Sequence, residues 1–291
     1  MDRRTLLKGA VIGTSAAVLW RPSLLRAAEA SGVKAELAAL ENQHGGRLGV
    51  AMLDTGSGKR AGYRDDERFL MCSTFKLLLA AAVLARVDRG QEQLDQRLVF
   101  GKDALLEYAP VTSKRAGAPG MTIAELCQAA VALSDNTAAN VLLAHLGGPS
   151  AAVTAFARQL GDSITRLDHN EPELNRPSAD PASDTTTLNA MLADLQKLTL
   201  GHALSDASRK QLLEWMRQTS TGMKLLRAGV PSDWQVGEKT GMGTTQRNDV
   251  VIMWPPNRQP LLVTAYYVNA QMDDDQRAAV LAAVGRIIAT I

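Results

Sequence analysis

Strand-forming sequence lies at the two ends of this chain, and the long stretch between them reads as helix. Leu48 to Leu53 is a strand-like run followed by the turn Asp54-Thr55-Gly56-Ser57-Gly58. Trp234 to Lys239, Asn248 to Trp254 and Leu261 to Val268 are rich in Val, Ile, Tyr and Trp and are separated by Gly and Pro turns. From Ser73 to about Ser220 the signal is helical and alanine-rich. An early hairpin cannot bury its apolar face alone, so it must join the late strands across everything between. The pattern predicts a mostly antiparallel sheet of about five strands. Helices over 34–43 and 273–291 flank it, and a helical domain is inserted between its two sequence segments. The expected boundaries are 31–66 with 218–291 for the α/β part and 67–217 for the helical part.

The helical part is well punctuated. Thr122-Ile123-Ala124-Glu125 is a capping box, Gly147-Gly148-Pro149 stops a helix, and Asp184 and Ser205 stand as N-caps before helical runs. Between Asp168 and Ser183 there is no periodicity, and Pro172, Pro177 and Pro181 forbid a continuous helix. A loop of that length inside a compact domain usually carries function. Gly58-Lys59 does not make a phosphate loop, because Leu53 stands where the earlier glycine belongs and Arg60 follows the lysine.

The N-terminus reads as an export signal. Arg3-Arg4 and Lys8 precede an uncharged, largely apolar stretch from Gly9 to Trp20, and Ala28-Glu29-Ala30 is a small-x-small cleavage site, so residues 1–30 are expected to be a twin-arginine leader cut after Ala30. The apolar stretch is too short for a hydrocarbon core of roughly 30 Å. Removing the leader takes away five basic and two acidic residues and turns the net charge from +2 to −1. No basic run or basic-aromatic stripe remains, which argues against nucleic acid as a partner. The sequence predicts a periplasmic or secreted monomer delivered by the twin-arginine machinery. Its 46% hydrophobic and 21% charged residues exclude a disordered or multi-spanning chain.

Four histidines, at 44, 145, 169 and 202, share no paired spacing, and the two cysteines, Cys72 and Cys127, form no metal motif, so no metal and no cofactor is expected. No Gly-x-Ser-x-Gly elbow occurs, so a serine nucleophile would need a base other than histidine. Ser-x-x-Lys supplies one, since residues three apart share a helix face and the amine reaches the hydroxyl. It occurs at Ser31/Lys34, near the expected mature terminus, and at Ser73/Lys76, where it opens an apolar helix whose N-terminal field would favour an oxyanion. Ser134-Asp135-Asn136 follows in a break between helical runs, and Lys239-Thr240-Gly241 at the end of a strand.

These three signatures in this order resemble the class A serine β-lactamases. Glu171-Pro172-Glu173-Leu174-Asn175 and Tyr108-Ala109-Pro110-Val111-Thr112 extend the likeness, which spans roughly Arg47 to Val268. The resemblance implies that Ser73 attacks the lactam carbonyl, with Lys76, or Glu171 through a water, as base. Backbone N–H groups of Ser73 and Met242 would form the oxyanion hole. Ser134 would pass a proton to the leaving nitrogen beside Lys239 and Lys76. Glu171, with Asn175, would direct a water onto the ester. Asn136 would meet the substrate's side-chain amide, Lys239, Thr240 and Gly241 would hold its carboxylate, and Tyr108 would flank the entrance.

The chain departs from the family pattern at several points. His169 stands where an arginine often pairs with Asp184, leaving Arg166 and Asp168 as further braces. Cys127 faces Ala80 and Cys72 faces Gly243 where disulfide partners are found in relatives, so both thiols are expected free and buried. Leu262 stands where a second carboxylate-binding arginine is common, leaving that role vacant or open to Arg247, Arg277 or Lys224. The turn from Met242 to Arg247 is shorter than in many relatives. Two rivals share parts of the pattern. A penicillin-binding peptidase or transpeptidase would lack the Glu171 segment, and a β-lactam sensor that acylates once would be expected to carry a membrane span beyond the leader.

Overall fold

The computed structural model describes the backbone of residues 22–291 and side chains from residue 32 onward. The Arg3-Arg4 pair and the apolar stretch of the expected leader lie outside the described residues, and the expected cleavage point after Ala30 falls inside the first helix. In chain order the elements are α1 (Pro22–His44), β1 (Arg47–Asp54), β2 (Arg60–Tyr63), β3 (Arg68–Leu70), α2 (Phe75–Asp88), β4 (Arg97–Leu98) and β5 (Met121–Thr122). There follow α3 (Ile123–Ala132), α4 (Asn136–His145), α5 (Ala155–Gln159), β6 (Thr185–Thr187), α6 (Leu188–Thr199), α7 (Asp206–Arg217), β7 (Gln235–Met242), β8 (Gln246–Trp254), β9 (Leu261–Val268) and α8 (Asp274–Ala289).

The main sheet is five-stranded in the order β2-β1-β9-β8-β7, antiparallel throughout. The early hairpin joins the late strands through β1 and β9, in a register that runs from Arg47 opposite Val268 to Asp54 opposite Leu261. Alternate residues point to opposite faces, and both faces are covered. Leu48, Val50, Met52, Val251, Met253, Val263 and Tyr267 pack on Val33 and Leu37 of α1 and on Val280, Leu281 and Val284 of α8. Ala51, Leu53, Val250, Ile252, Leu262 and Tyr266 pack toward the helical side, with α2, α3 and α6. Burial on both sides is why these strands read as nearly unbroken apolar runs. It also places Leu262 fully in the core, away from any substrate.

Helix α2 is the axis of the helical part, with every residue from Phe75 to Ala85 buried. The expected capping box holds: Thr122 Oγ1 accepts from Glu125 N at 3.1 Å, and Glu125 Oε2 accepts from Thr122 N at 2.7 Å. Ser205 caps α7 as expected. Asp184 does not cap α6. It sits at φ 57°, turned back toward the preceding loop, and β6 intervenes, so Thr187 makes the cap by accepting from Ala190 N. A π-helical turn at Ser150–Thr154, the β3–β6 pair and the β4–β5 pair were not anticipated. Among the described residues no helix is long and apolar enough to cross a membrane.

Candidate active site

Ser73 lies in a buried 3-10 turn, Cys72–Thr74, that feeds directly into α2. The turn is fastened to the sheet from three strands. Thr74 Oγ1 meets the Tyr266 hydroxyl of β9 at 2.6 Å, and Asn248 Nδ2 of β8 donates to the carbonyls of Leu70 and Met71 at 2.9 and 3.0 Å. A Cβ on Gly241 of β7 would sit 2.8 Å from Met71 O and 3.2 Å from Cys72 Cβ, so a glycine is required for β7 to approach so closely. Cys72 holds a left-handed φ of 45°, and Ser134 one of 58°. Two non-glycine residues in that region, one beside the candidate nucleophile and one a candidate proton carrier, mark where the fold has accepted backbone cost.

The polar groups converge around the Ser73 hydroxyl. Ser73 Oγ donates to Glu171 Oε1 at 2.9 Å and accepts from Lys76 Nζ at 2.9 Å. Lys76 Nζ is 3.0 Å from the same Glu171 oxygen, and it also donates to Ser134 O at 2.9 Å and Asn136 Oδ1 at 2.6 Å. Lys76 and Glu171 have no exposed side-chain surface. Burial alone would raise the Glu171 carboxyl, but the Lys76 charge and the bonds from Lys76, Ser73 and Asn175 bring it below its ordinary value. Burial pulls the Lys76 ammonium below its ordinary range, with Glu171 opposing. The first shift holds Glu171 as the carboxylate that accepts from Ser73, and the second makes the Lys76 ammonium readier to give up a proton.

Ser134 stands in the break between α3 and α4, which Asp135 fixes. Asp135 caps α4 by accepting from Ala138 N at 2.9 Å and holds the Tyr108 loop through the Val111 and Thr112 N–H groups at 3.0 and 2.9 Å. Ser134 Oγ accepts from Lys239 Nζ at 3.0 Å, and Lys239 also donates to Thr240 O at 2.7 Å. Burial first, then the neighbouring Lys76 charge, drives Lys239 well below its ordinary range, with Glu171, Asp249 and Glu238 opposing. An arriving anion would raise it again.

The loop carrying Glu171 is held at several points. Asn140 grips Glu171 from both sides, donating to Glu171 O at 2.9 Å and accepting from Glu171 N at 3.0 Å, and Asn175 Nδ2 donates to Glu171 Oε2 at 2.7 Å. The Glu171–Pro172 peptide bond is cis. His169 Nδ1 meets Asp184 Oδ2 at 2.7 Å, and Asp184 Oδ1 accepts the N–H groups of Asp168 and His169. Arg166 bridges Asp168 and Asp180, each at 2.8 Å. The expected braces are therefore all present.

Ser73, Tyr108, Ser134, Asn136, Glu171, Asn175, Thr240 and Met242 line one solvent-open cleft together with Thr221 and Arg247. Lys76 and Lys239 lie just beneath its floor. Gly241 does not line the cleft and acts through the close approach described above. Of the three candidate cations only Arg247 borders the cleft: Arg277 donates to the Asn269 and Met272 carbonyls, and Lys224 pairs with Asp275 at the surface. Cys72 and Cys127 are buried and free, as expected. Among the described residues no group of three potential ligands could hold a metal. Asn140 and Thr221 were missed in the sequence. The first was legible, since Asn136 and Asn140 stand one turn apart on α4, whereas nothing local distinguishes Thr221.

Comparison with known proteins agrees with this geometry. The model of the "Beta-lactamase enzyme family" matches residues 32–291. A β-lactamase of Citrobacter koseri is 46% identical over 98% of this chain and 97% of its own, and β-lactamase CTX-M-8 of Citrobacter amalonaticus is 46% identical over 90% and 89%. A solved ancestral class A β-lactamase superposes with a TM-score of 0.85 at 57% identity, covering 88% of this chain and 98% of that one. With its sheet order, its Ser73 cluster and these relatives in agreement, the chain belongs to the β-lactamase enzyme family and is a class A serine β-lactamase.

Proposed function

We propose that this enzyme opens β-lactams through an ester on Ser73 and that Glu171 directs the water that releases it. The observation that carries this reading is the triangle of Ser73 Oγ, Glu171 Oε1 and Lys76 Nζ, with sides of 2.9, 3.0 and 2.9 Å. Glu171 contacts the hydroxyl directly, so it is placed to take the Ser73 proton as Oγ bonds to the lactam carbon. The ring C–N bond then breaks, and the nitrogen takes a proton from Ser134, which is resupplied through Lys239 or Lys76. Backbone N–H groups of Ser73 and Met242 stabilise the oxyanion. Glu171 passes the proton it took from Ser73 to Lys76, 3.0 Å away, so the lysines recover what Ser134 drew. In the second half, water gives a proton to Glu171 and attacks the ester, and Glu171 returns that proton to Ser73 as the C–O bond breaks. Asn175 Oδ1 is buried without a partner, an acceptor suited to that water's other hydrogen.

Binding follows from the same cleft. Lys239, Thr240 and Arg247 hold the substrate carboxylate, and Arg247 takes the role left open by Leu262. Asn136 Oδ1 is already occupied by Lys76, so its Nδ2 is left for the substrate's side-chain amide, and Tyr108, 46% exposed, flanks the entrance. The twin-arginine leader sends the folded monomer to the periplasm. Intact mass spectrometry with benzylpenicillin tests the cycle: the wild type should show a transient adduct on Ser73 with fast substrate loss, whereas Glu171→Ala, in which Lys76 at 2.9 Å remains to take the Ser73 proton, should form the adduct more slowly, retain it, and turn over at least about a hundredfold more slowly. A persistent adduct on the wild type would favour a sensor or a penicillin-binding enzyme, and rapid turnover by Glu171→Ala would remove Glu171 from the mechanism.

A further inference from the structure

Segment 219–221 runs beside β7 and is stitched to it at alternate residues. Thr219 Oγ1 donates to Glu238 O at 2.7 Å, and Thr221 Oγ1 lies 2.6 Å from Thr240 Oγ1. Ser220 N donates to Ala132 O at the end of α3, tying the segment to the helix that leads into Ser134. The Thr221 carbonyl accepts from Arg247 Nη2 at 3.5 Å. Thr221 borders the cleft and is half-buried, and Thr240 is only 3% exposed.

Two hydroxyls this close share a single hydrogen bond, and only one of them can donate it. If Thr240 donates, its proton is spent on Thr221 and cannot reach a ligand. If Thr221 donates, the Thr240 proton is free to turn into the cleft. A carboxylate can only accept, so its arrival selects the second arrangement, a chain from Thr221 to Thr240 to carboxylate in which each bond polarises the next. The Thr221 carbonyl meanwhile restrains Arg247 on the other side of the same anion.

We infer that Thr221 is a positioning residue for substrates bearing a carboxylate beside the lactam ring, orienting the Thr240 hydroxyl through its own hydroxyl and Arg247 through its carbonyl. This inference rests on the proposed function, in which Thr240 and Arg247 receive that carboxylate. Thr221 touches no reacting atom, so its effect falls on binding and not on the chemical steps at Ser73.

Steady-state kinetics on wild type, Thr221→Val, Thr221→Ala and Thr221→Ser test it, with benzylpenicillin and with its carboxylate methyl ester. Loss of the hydroxyl should raise KM for benzylpenicillin about five- to tenfold with kcat held within about twofold, as expected for one hydrogen bond to a charged acceptor. Thr221→Ser should restore the wild-type KM, and the ester, an uncharged and weaker acceptor for Thr240, should show a rise in KM of no more than about twofold in the loss variants. Thr221→Ala serves as the loss variant if Thr221→Val does not fold. An unchanged KM in the loss variants, a fall in kcat alone, or an equal rise in KM for the ester would each overturn the inference. Failure of the wild type to hydrolyse benzylpenicillin would instead remove the proposed function on which it rests.

Discussion

Asp194 lies on α6 with no exposed surface, and its carboxyl oxygens meet no donor except through a proton shared with Asp162. Burial, then the Asp162 charge and that shared bond, push it from 3.8 up to about 8. Folding therefore takes up a proton between those values. The stability is fully present below pH 4 and is lost as the pH rises through about 8. Asp194→Asn keeps the shape and supplies a permanent N–H to Asp162, so at pH 8 it should stabilise the fold by on the order of 2 kcal/mol, and at pH 4 by little. Thermal unfolding at both pH values checks this, and an equal gain at pH 4 and pH 8 would refute the shared proton. Neither carboxyl could be read from sequence as half of a pair, because their juxtaposition depends on how α6 docks beneath the preceding loop.

The loop from 163 to 184 carries Glu171, and His169–Asp184 is its only histidine clasp among the described contacts. The bond from Asp184, then its charge, raises the His169 pKa, with Asp168 and Glu173 adding and burial opposing. The clasp is complete below the ordinary histidine value and is lost as pH climbs past the raised one. Amides of 168–184 should thus exchange faster at alkaline pH than intrinsic rates predict, and His169→Arg should flatten that rise. An identical pH profile in the two proteins would show that the clasp does not hold the loop. The arginine's replacement was legible in sequence, and so was Arg166 as a brace. The turn of Asp184 away from α6 was not, because an acidic residue before a helical run looks like a cap until its left-handed φ is seen.

At the scale of the molecule, two apolar clusters on either side of one sheet hold the fold, and no disulfide crosses them. Cys72 Sγ lies 3.3 Å from where a Cβ on Gly243 would be, but no second thiol stands there, and that Cβ would collide with Gln246 Oε1. Burial pushes both thiols above their ordinary range, so they are inert. Reductant should leave the unfolding midpoint within about 1 °C of its value without it. A shift of several degrees would reveal a covalent link. The strands were legible because double burial writes them as apolar runs, and the Ser73, Ser134 and Lys239 motifs because short spacings on helix and strand preserve side-chain direction. Thr221 and the β3–β6 pair were not, since both depend on segments brought together only by tertiary packing.

Because β1 pairs with β9, the sheet that anchors the Ser73 turn is incomplete until Leu261–Val268 has been synthesised. The serine is translated early, yet Tyr266, Asn248, Lys239 and Arg247, which hold its turn and furnish the facing wall, arrive late. Until those strands are made, a nascent chain carries Ser73 as an ordinary alcohol. A chain cut short of β7 to β9 would keep the Ser73 motif but lack the strands that fasten its turn and wall its cleft.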